Sequence, residues 1–370
     1  MQHVSIFDHL GGQLGRLCQV LGIDPETPAE LLAGILGRYR DRPLSEPPVW
    51  PSDIADDHSP VEFSVAYNDT ERPSLRILAE VSGTQPGVIE NMSAAYAFLA
   101  DRSARFGLST RRLDAVRDLF AVERPHGDFG LWCSLVFRAG HAPEFKVYLN
   151  PQIAGPDRAP DLVGEALHRL GLGASYRAML AHAVRPGEFG RADRLAFFAL
   201  DLHDGPKARV KLYLSHYDAE AADVARAAGV VAGIDPAEIV QFCTSTGGPG
   251  PFDARPLVGS YTLTENADRP VGYSVYVPIR SYVANDQEAR DLVAAALSRH
   301  GFDPALLDRA IAAVATRPLA DGVGLIAHAS LRLGPPRPGV TVYLSAEAYE
   351  VSPPARHRQP RLDPLRRPAA

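Results

Sequence analysis

Five pairs of short, alternating apolar runs recur along this chain at a nearly constant step, and that step limits what it can fold into. The first members begin near residues 61, 130, 195, 259 and 325, giving steps of 69, 65, 64 and 66 residues. The pairs are 61–67 with 74–80, 130–137 with 145–149, 195–200 with 209–214, 259–264 with 273–277, and 325–331 with 340–345. Gly, Pro or Asn fills each break, the mark of a β-hairpin. A fixed period signals repeat architecture, yet a lone hairpin with its helices cannot close a core. The 370 residues therefore read as one structure made of five incomplete parts, although length alone suggests two or three domains.

Helical periodicity occupies the intervals, at 6–22, 86–104, 109–119, 159–170, 174–184, 217–229, 235–243, 286–300 and 303–315. Asp235-Pro236 and Asp303-Pro304 each join an N-cap residue to a proline in the first turn. The unit is helix, strand, strand, helix. Ten antiparallel strands with helices on one side avoid open edges most simply by closing into a barrel, an α+β architecture whose interior is left to side chains or a ligand.

Composition narrows the function classes. A net charge of −6 argues against a general nucleic-acid binder. The apolar runs are short and broken by charge, so no membrane span is expected, and the first residues lack a secretory signal pattern. A cytoplasmic protein is the expectation. Cys18, Cys133 and Cys243 lie too far apart in sequence for a zinc cage or a disulfide framework and read as buried thiols. Residues 352–370, rich in Pro and carrying five arginines against one aspartate, read as a disordered tail after a single domain over 1–351.

Period-2 alternation divides each second strand into two faces. One face is apolar: Leu75 and Ile77, Phe145 and Val147, Val210 and Leu212, Val275 and Val277, Val340 and Val342. The other holds Arg76, Lys146 with Tyr148, Arg209 and Lys211 with Tyr213, Tyr276, and Tyr343. Helices outside would cover the apolar face and turn the cations and phenols inward; an ordinary half-exposed sheet would turn them to water. A lumen of cations suits an anion such as diphosphate, and tyrosine faces stabilise a cation. Together they suit a compound that ionises into both. Glu62, the charged residue on an otherwise mostly apolar first strand, is either an outward glutamate or a buried acceptor for a neutral N–H donor.

The segments Asp56-Asp-His-Ser-Pro-Val-Glu-Phe-Ser64, Phe145-Lys-Val-Tyr-Leu-Asn-Pro151, Arg209-Val-Lys-Leu-Tyr213, Tyr276-Val-Pro-Ile-Arg280 and Val340-Thr-Val-Tyr-Leu-Ser345 resemble, in the same order, the dimethylallyl-tryptophan-synthase family of aromatic prenyltransferases. The likeness is nearest to bacterial members that prenylate tryptophan and runs from about residue 5 to 351. It implies the ABBA barrel, ten antiparallel strands ringed by helices. It also implies transfer of a dimethylallyl group from dimethylallyl diphosphate, a co-substrate, to the indole of L-tryptophan, with C6 favoured. By position, Glu62 matches the glutamate that meets the indole N–H. Arg76, Lys146, Arg209 and Lys211 match the diphosphate cations, and Tyr148, Tyr213, Tyr276 and Tyr343 match the tyrosines that shield the allylic cation. Trp132 and His328 fall in the aromatic-substrate pocket, with His328 where related enzymes often carry tyrosine. Asp56-Asp57 is followed by His-Ser-Pro and does not complete the DDxxD magnesium cluster of other prenyltransferases, so no metal or other cofactor is expected. Two further readings stay open at this stage: a prenyltransferase for another indole, such as a cyclic dipeptide, and a non-catalytic barrel that binds an aromatic ligand.

Overall fold

The computed structural model describes residues 4–68, 73–205, 208–334 and 337–355; residues 356–370, most of the expected tail, lie outside the described residues. Ten strands alternate with helices: β1 Val61–Tyr67, β2 Ser74–Ala79, β3 Leu131–Phe137, β4 Glu144–Leu149, β5 Asp193–Asp201, β6 Val210–His216, β7 Leu257–Leu263, β8 Gly272–Val277, β9 Ile326–Leu333 and β10 Gly339–Ser345. Every neighbour pair is antiparallel, and β1 pairs with β10 as well as β2, so the sheet is a closed barrel. Among the described residues, closure leaves no edge strand to pair with another chain.

The alternation has the consequence read from sequence. Val61, Phe63, Val65, Ile77, Val147, Leu212, Val275 and Val342 are fully or almost fully buried and belong to one large apolar cluster with the helices. The helices are α1 Ile6–Leu21, α2 Glu26–Leu36, α3 Val88–Phe106, α4 Arg111–Asp114, α5 Ala159–Arg169, α6 Gly173–Ala183, α7 Ala221–Ala228, α8 Pro236–Gly247, α9 Asp286–Arg299 and α10 Ala305–Val314. They surround the barrel, and α10 packs on α1 to complete the ring. A second, separate apolar cluster of Ile54, Ala55, Phe129 and Trp132, with Leu78, Tyr148 and Phe197 against it, lies on the inner side of the wall. The two clusters are the two faces of one sheet.

Two helical expectations change. α2 was not anticipated: Pro28 and Gly34 obscure its pattern, yet Pro28 sits in the first turn, where a missing N–H costs nothing. Gly34 leaves room for the Arg102 side chain from α3, which a Cβ there would strike. The stretch 109–119 is not one helix but α4 followed by a 3₁₀ turn at Arg117–Phe120. All three cysteines are free and buried. Among the described residues no helix is long and apolar enough to cross a membrane, and no group of three or more His, Cys, Asp or Glu converges to hold a metal ion.

Candidate active site

The inward face of the barrel carries the chemistry. Lys146 on β4 stands directly across from Asp201 on β5, with Nζ 3.1 Å from the carboxylate. Arg209, one residue ahead of β6, donates to the same carboxylate from Nε at 2.8 Å and from its backbone N–H at 3.1 Å. Asp201 is almost fully buried. Its negative charge survives because Lys146 and Arg209 outweigh the cost of burial and hold its carboxyl well below the usual range. Lys211 has no carboxylate partner among the described residues; its Nζ lies 5.6 Å from the centre of the Tyr213 ring. Burial, with Arg209, Lys146 and Arg76 as like-charged neighbours, pushes its ammonium well below the lysine range. The Nε of Arg76 is buried without a hydrogen-bond acceptor. The lumen thus gathers four basic side chains, of which Lys146 and Arg209 pair with Asp201 while Arg76 and Lys211 do not, an arrangement fitted for an incoming polyanion.

A continuous row of rings runs beside these cations. Tyr148 and Tyr213 lie 5.7 Å apart, Tyr213 and Tyr276 5.7 Å, Tyr276 and Tyr343 5.9 Å, and His328 meets Tyr343 edge-on at 6.1 Å. The Tyr148 and Tyr213 hydroxyls are 3.3 Å apart. Burial raises the Tyr148, Tyr213 and Tyr343 phenols above their ordinary range, so they present neutral π faces at neutral pH. At one end of the row Trp132 stacks on Phe129 at 4.0 Å, and Phe197 bridges both to Tyr148 and Tyr213.

Two irregularities in the sheet aim this row. The β5–β6 register shifts between Leu195 and Phe197, so Leu195 faces the helices while Phe197 faces the lumen. The β9–β10 register pairs Tyr343 with His328 but Leu344 with Ile326, skipping Ala327. That bulge keeps Ile326 under the helices and His328 inside. Burial, then Arg280 and Arg255, push the imidazole well below its usual range, so His328 is neutral.

Glu62 lies inside as well, opposite Ser345 and Leu78 and 6% exposed. Burial raises its carboxyl to about 8; Arg280 opposes the rise, while Asp56 and Asp57 add to it. The residues read from sequence thus come together in one lumen. Those missed are Asp201, Phe129, Phe197, Asp56, Arg255 and Arg280. Arg280 and Asp56 end and begin two of the quoted segments, a signal available in sequence but without a partner to give it meaning.

Comparison with known proteins agrees with this fold. A family model described as tryptophan dimethylallyltransferase matches residues 29–308. A solved 6-dimethylallyl tryptophan synthase is 66% identical over 96% of this chain and 100% of its own, with a TM-score of 0.93. The 6-dimethylallyltryptophan synthase of Micromonospora olivasterospora, solved in complex with DMASPP and Trp, is 68% identical over 95% of this chain and 99% of its own, with a TM-score of 0.92. The 5-dimethylallyl tryptophan synthase of Streptomyces coelicolor, also in complex with DMASPP and Trp, is 36% identical over 97% and 100%, with a TM-score of 0.87.

Proposed function

We propose that this chain, which belongs to the tryptophan dimethylallyltransferase family, transfers a dimethylallyl group from dimethylallyl diphosphate to C6 of L-tryptophan, with residues 1–351 as one catalytic domain. The observation that carries the reading is a single lumen in which four cations, a row of four tyrosines and a buried carboxyl succeed one another.

The chemistry follows from those side chains. Arg76, Lys146, Arg209 and Lys211 bind the diphosphate and neutralise the charge that grows on it as the allylic C–O bond breaks. The cation left behind sits against the faces of Tyr148, Tyr213, Tyr276 and Tyr343, which stabilise it and keep water away. Trp132 and Phe129 form an apolar wall for the indole. Glu62 accepts the indole N–H and raises the electron density of the ring, which attacks the cation to form the new C–C bond. The proton displaced from the attacked carbon passes to a base, for which we assign neutral His328. Diphosphate leaves as the anion, and aromaticity returns. The reaction runs without metal, its charge neutralisation supplied by the protein.

The test is incubation of the protein with L-tryptophan and dimethylallyl diphosphate in excess EDTA, with the product identified by mass and NMR. A single C6-dimethylallyl product is expected. No prenylation of tryptophan would overturn the reading, attachment at another carbon would overturn the regiochemistry, and a requirement for added magnesium would overturn metal independence.

A further inference from the structure

Of the 38 lysines and arginines in this chain, three are lysines: Lys146, Lys207 and Lys211. Lys207 lies outside the described residues; the other two stand inside the barrel. An arginine there stays a cation. A lysine that lacks an acid and is ringed by charge of its own sign gives up its proton and becomes a nucleophilic amine. The two lumen lysines differ in this respect. Lys146 has Asp201, whose Oδ1 is 3.1 Å from its Nζ. Arg209 adds two side-chain nitrogens and its backbone N–H to the same carboxylate, so the acceptor positions of Asp201 are taken. Lys211 is flanked across the sheet by Ala199 of β5 and Thr262 of β7, neither of them an acid. Burial, then Arg209, Lys146 and Arg76, push its ammonium down, and Asp201 opposes them only in part. Lys211 remains partly exposed, on the face that lines the lumen. Beside it Arg76 keeps a buried Nε without an acceptor.

We infer that Lys211 is the nucleophile of a second kind of ligand site in the barrel: a small aldehyde that carries a phosphate docks that phosphate on Arg76, Arg209 and Lys146 and condenses with Lys211 as an imine. The lysine nitrogen bonds to the carbonyl carbon, the two amine hydrogens leave with the carbonyl oxygen as water, and a C=N bond remains. The inference rests on the reading of these basic side chains as the diphosphate site. The adduct fills that site, so phosphorylated aldehydes act as reversible covalent inhibitors of donor binding. Both parts of the ligand are needed. An anion without a carbonyl forms no bond, and an aldehyde without a phosphate has no charged group to hold it beside the amine. Tyr213, whose ring centre is 5.6 Å from the Lys211 Nζ, offers a face to a planar aldehyde. The full charge of a bound diphosphate favours the ammonium, so the same residue serves the donor as a cation.

The probe is pyridoxal 5′-phosphate, with pyridoxal as its phosphate-free counterpart. Imines are trapped with borohydride and located by peptide mass mapping over the three lysines and the N-terminal amine. Binding of inorganic diphosphate is measured separately by calorimetry. One adduct per chain is expected, at Lys211, and saturating inorganic diphosphate should prevent it. Half-saturation should come at an about tenfold or more lower concentration for pyridoxal 5′-phosphate than for pyridoxal. Lys211→Arg keeps a cation but should abolish the adduct. Arg76→Gln leaves the amine and should erase most of the preference for the phosphorylated aldehyde. Labelling at another amine in place of Lys211, equal half-saturation for the two aldehydes, or an adduct that forms in protein saturated with diphosphate would overturn the inference. These three readouts use the wild type and stand even if a variant fails to fold. Failure of diphosphate itself to bind would overturn the reading of the site and the inference with it, and calorimetry shows that failure apart from the labelling.

Discussion

Burial pushes the carboxyl of Glu62 up to about 8 and the ammonium of Lys146 down to about 8, so the two groups approach one another from opposite sides. In the mechanism proposed above Glu62 works as the carboxylate, so activity should rise as pH rises through its pKa. In the same mechanism Lys146 works as a cation, so activity should fall as it loses its proton. The kcat/KM profile of the free protein should therefore be a narrow bell centred near pH 8. Glu62→Gln should cut turnover about 10²-fold and abolish the acid limb; near-normal turnover, or an acid limb that survives, would refute its role. Asp201 raises the pKa of Lys146, against burial and against Arg209 and Arg76. Asp201→Asn should consequently move the alkaline limb to lower pH, and a limb that stays in place would show that the carboxylate merely fills space. His328→Phe keeps a ring against Tyr343 but removes the acceptor nitrogen, and kcat should fall about 10²-fold with little change in KM for tryptophan; an unchanged kcat would assign the proton elsewhere. Glu62 and the four cations were legible in sequence because charge stands out in an apolar alternation. Asp201 was not, because it ends β5 where an acid reads as the start of a turn, and only its register opposite Lys146 gives it a function. Phe197 was hidden by the register shift beside Leu195, which breaks the period on which facing is read.

Strands were more legible than helices, since inward and outward faces are both buried and hold their alternation, whereas the helices need cover only one side. α4 shows the limit: its stretch looks like one helix, but the chain turns to bring Phe120 under Phe198 of β5. The joint between α9 and β9 was not legible at all. Asp286, the first residue of α9, is fully buried and accepts from the backbone N–H groups of Gly324, Leu325 and Ile326, while Arg317 pairs with it. It satisfies three donors where the chain enters β9, and it anchors the strand that presents His328. Asp286→Ala would leave those buried donors open and Arg317 with Glu347 as its remaining acid partner. Urea unfolding should show a loss of about 3 kcal/mol or more; a loss under about 1 kcal/mol would mean that water replaces the carboxylate.

The period of about 65 residues made the whole molecule readable as one barrel, because five equal hairpins bury both faces and close their edges most simply that way. What the period could not give is how the ring is locked, since the lock joins residues 297 to 337 positions apart. Gln13, fully buried on α1, donates to the carbonyls of Val314 and Ala346, each at 2.9 Å. His9 also meets the Ala346 carbonyl, and Arg16 donates to that of Ala313. These bonds tie the first helix to the end of α10 and to the residue after β10, where the helical ring and the strand order both close. Gln13→Leu keeps much of the volume but strips the Val314 carbonyl of this donor and leaves Ala346 with His9 as its side-chain partner. The cost should be about 1–3 kcal/mol. Because the barrel is closed, the loss should fall on the whole fold: far-UV circular dichroism, tyrosine fluorescence from the lumen and diphosphate binding should all report one transition, shifted together to lower denaturant. Separate transitions for these probes would show that the five units unfold independently and that closure between β1 and β10 contributes little to holding them.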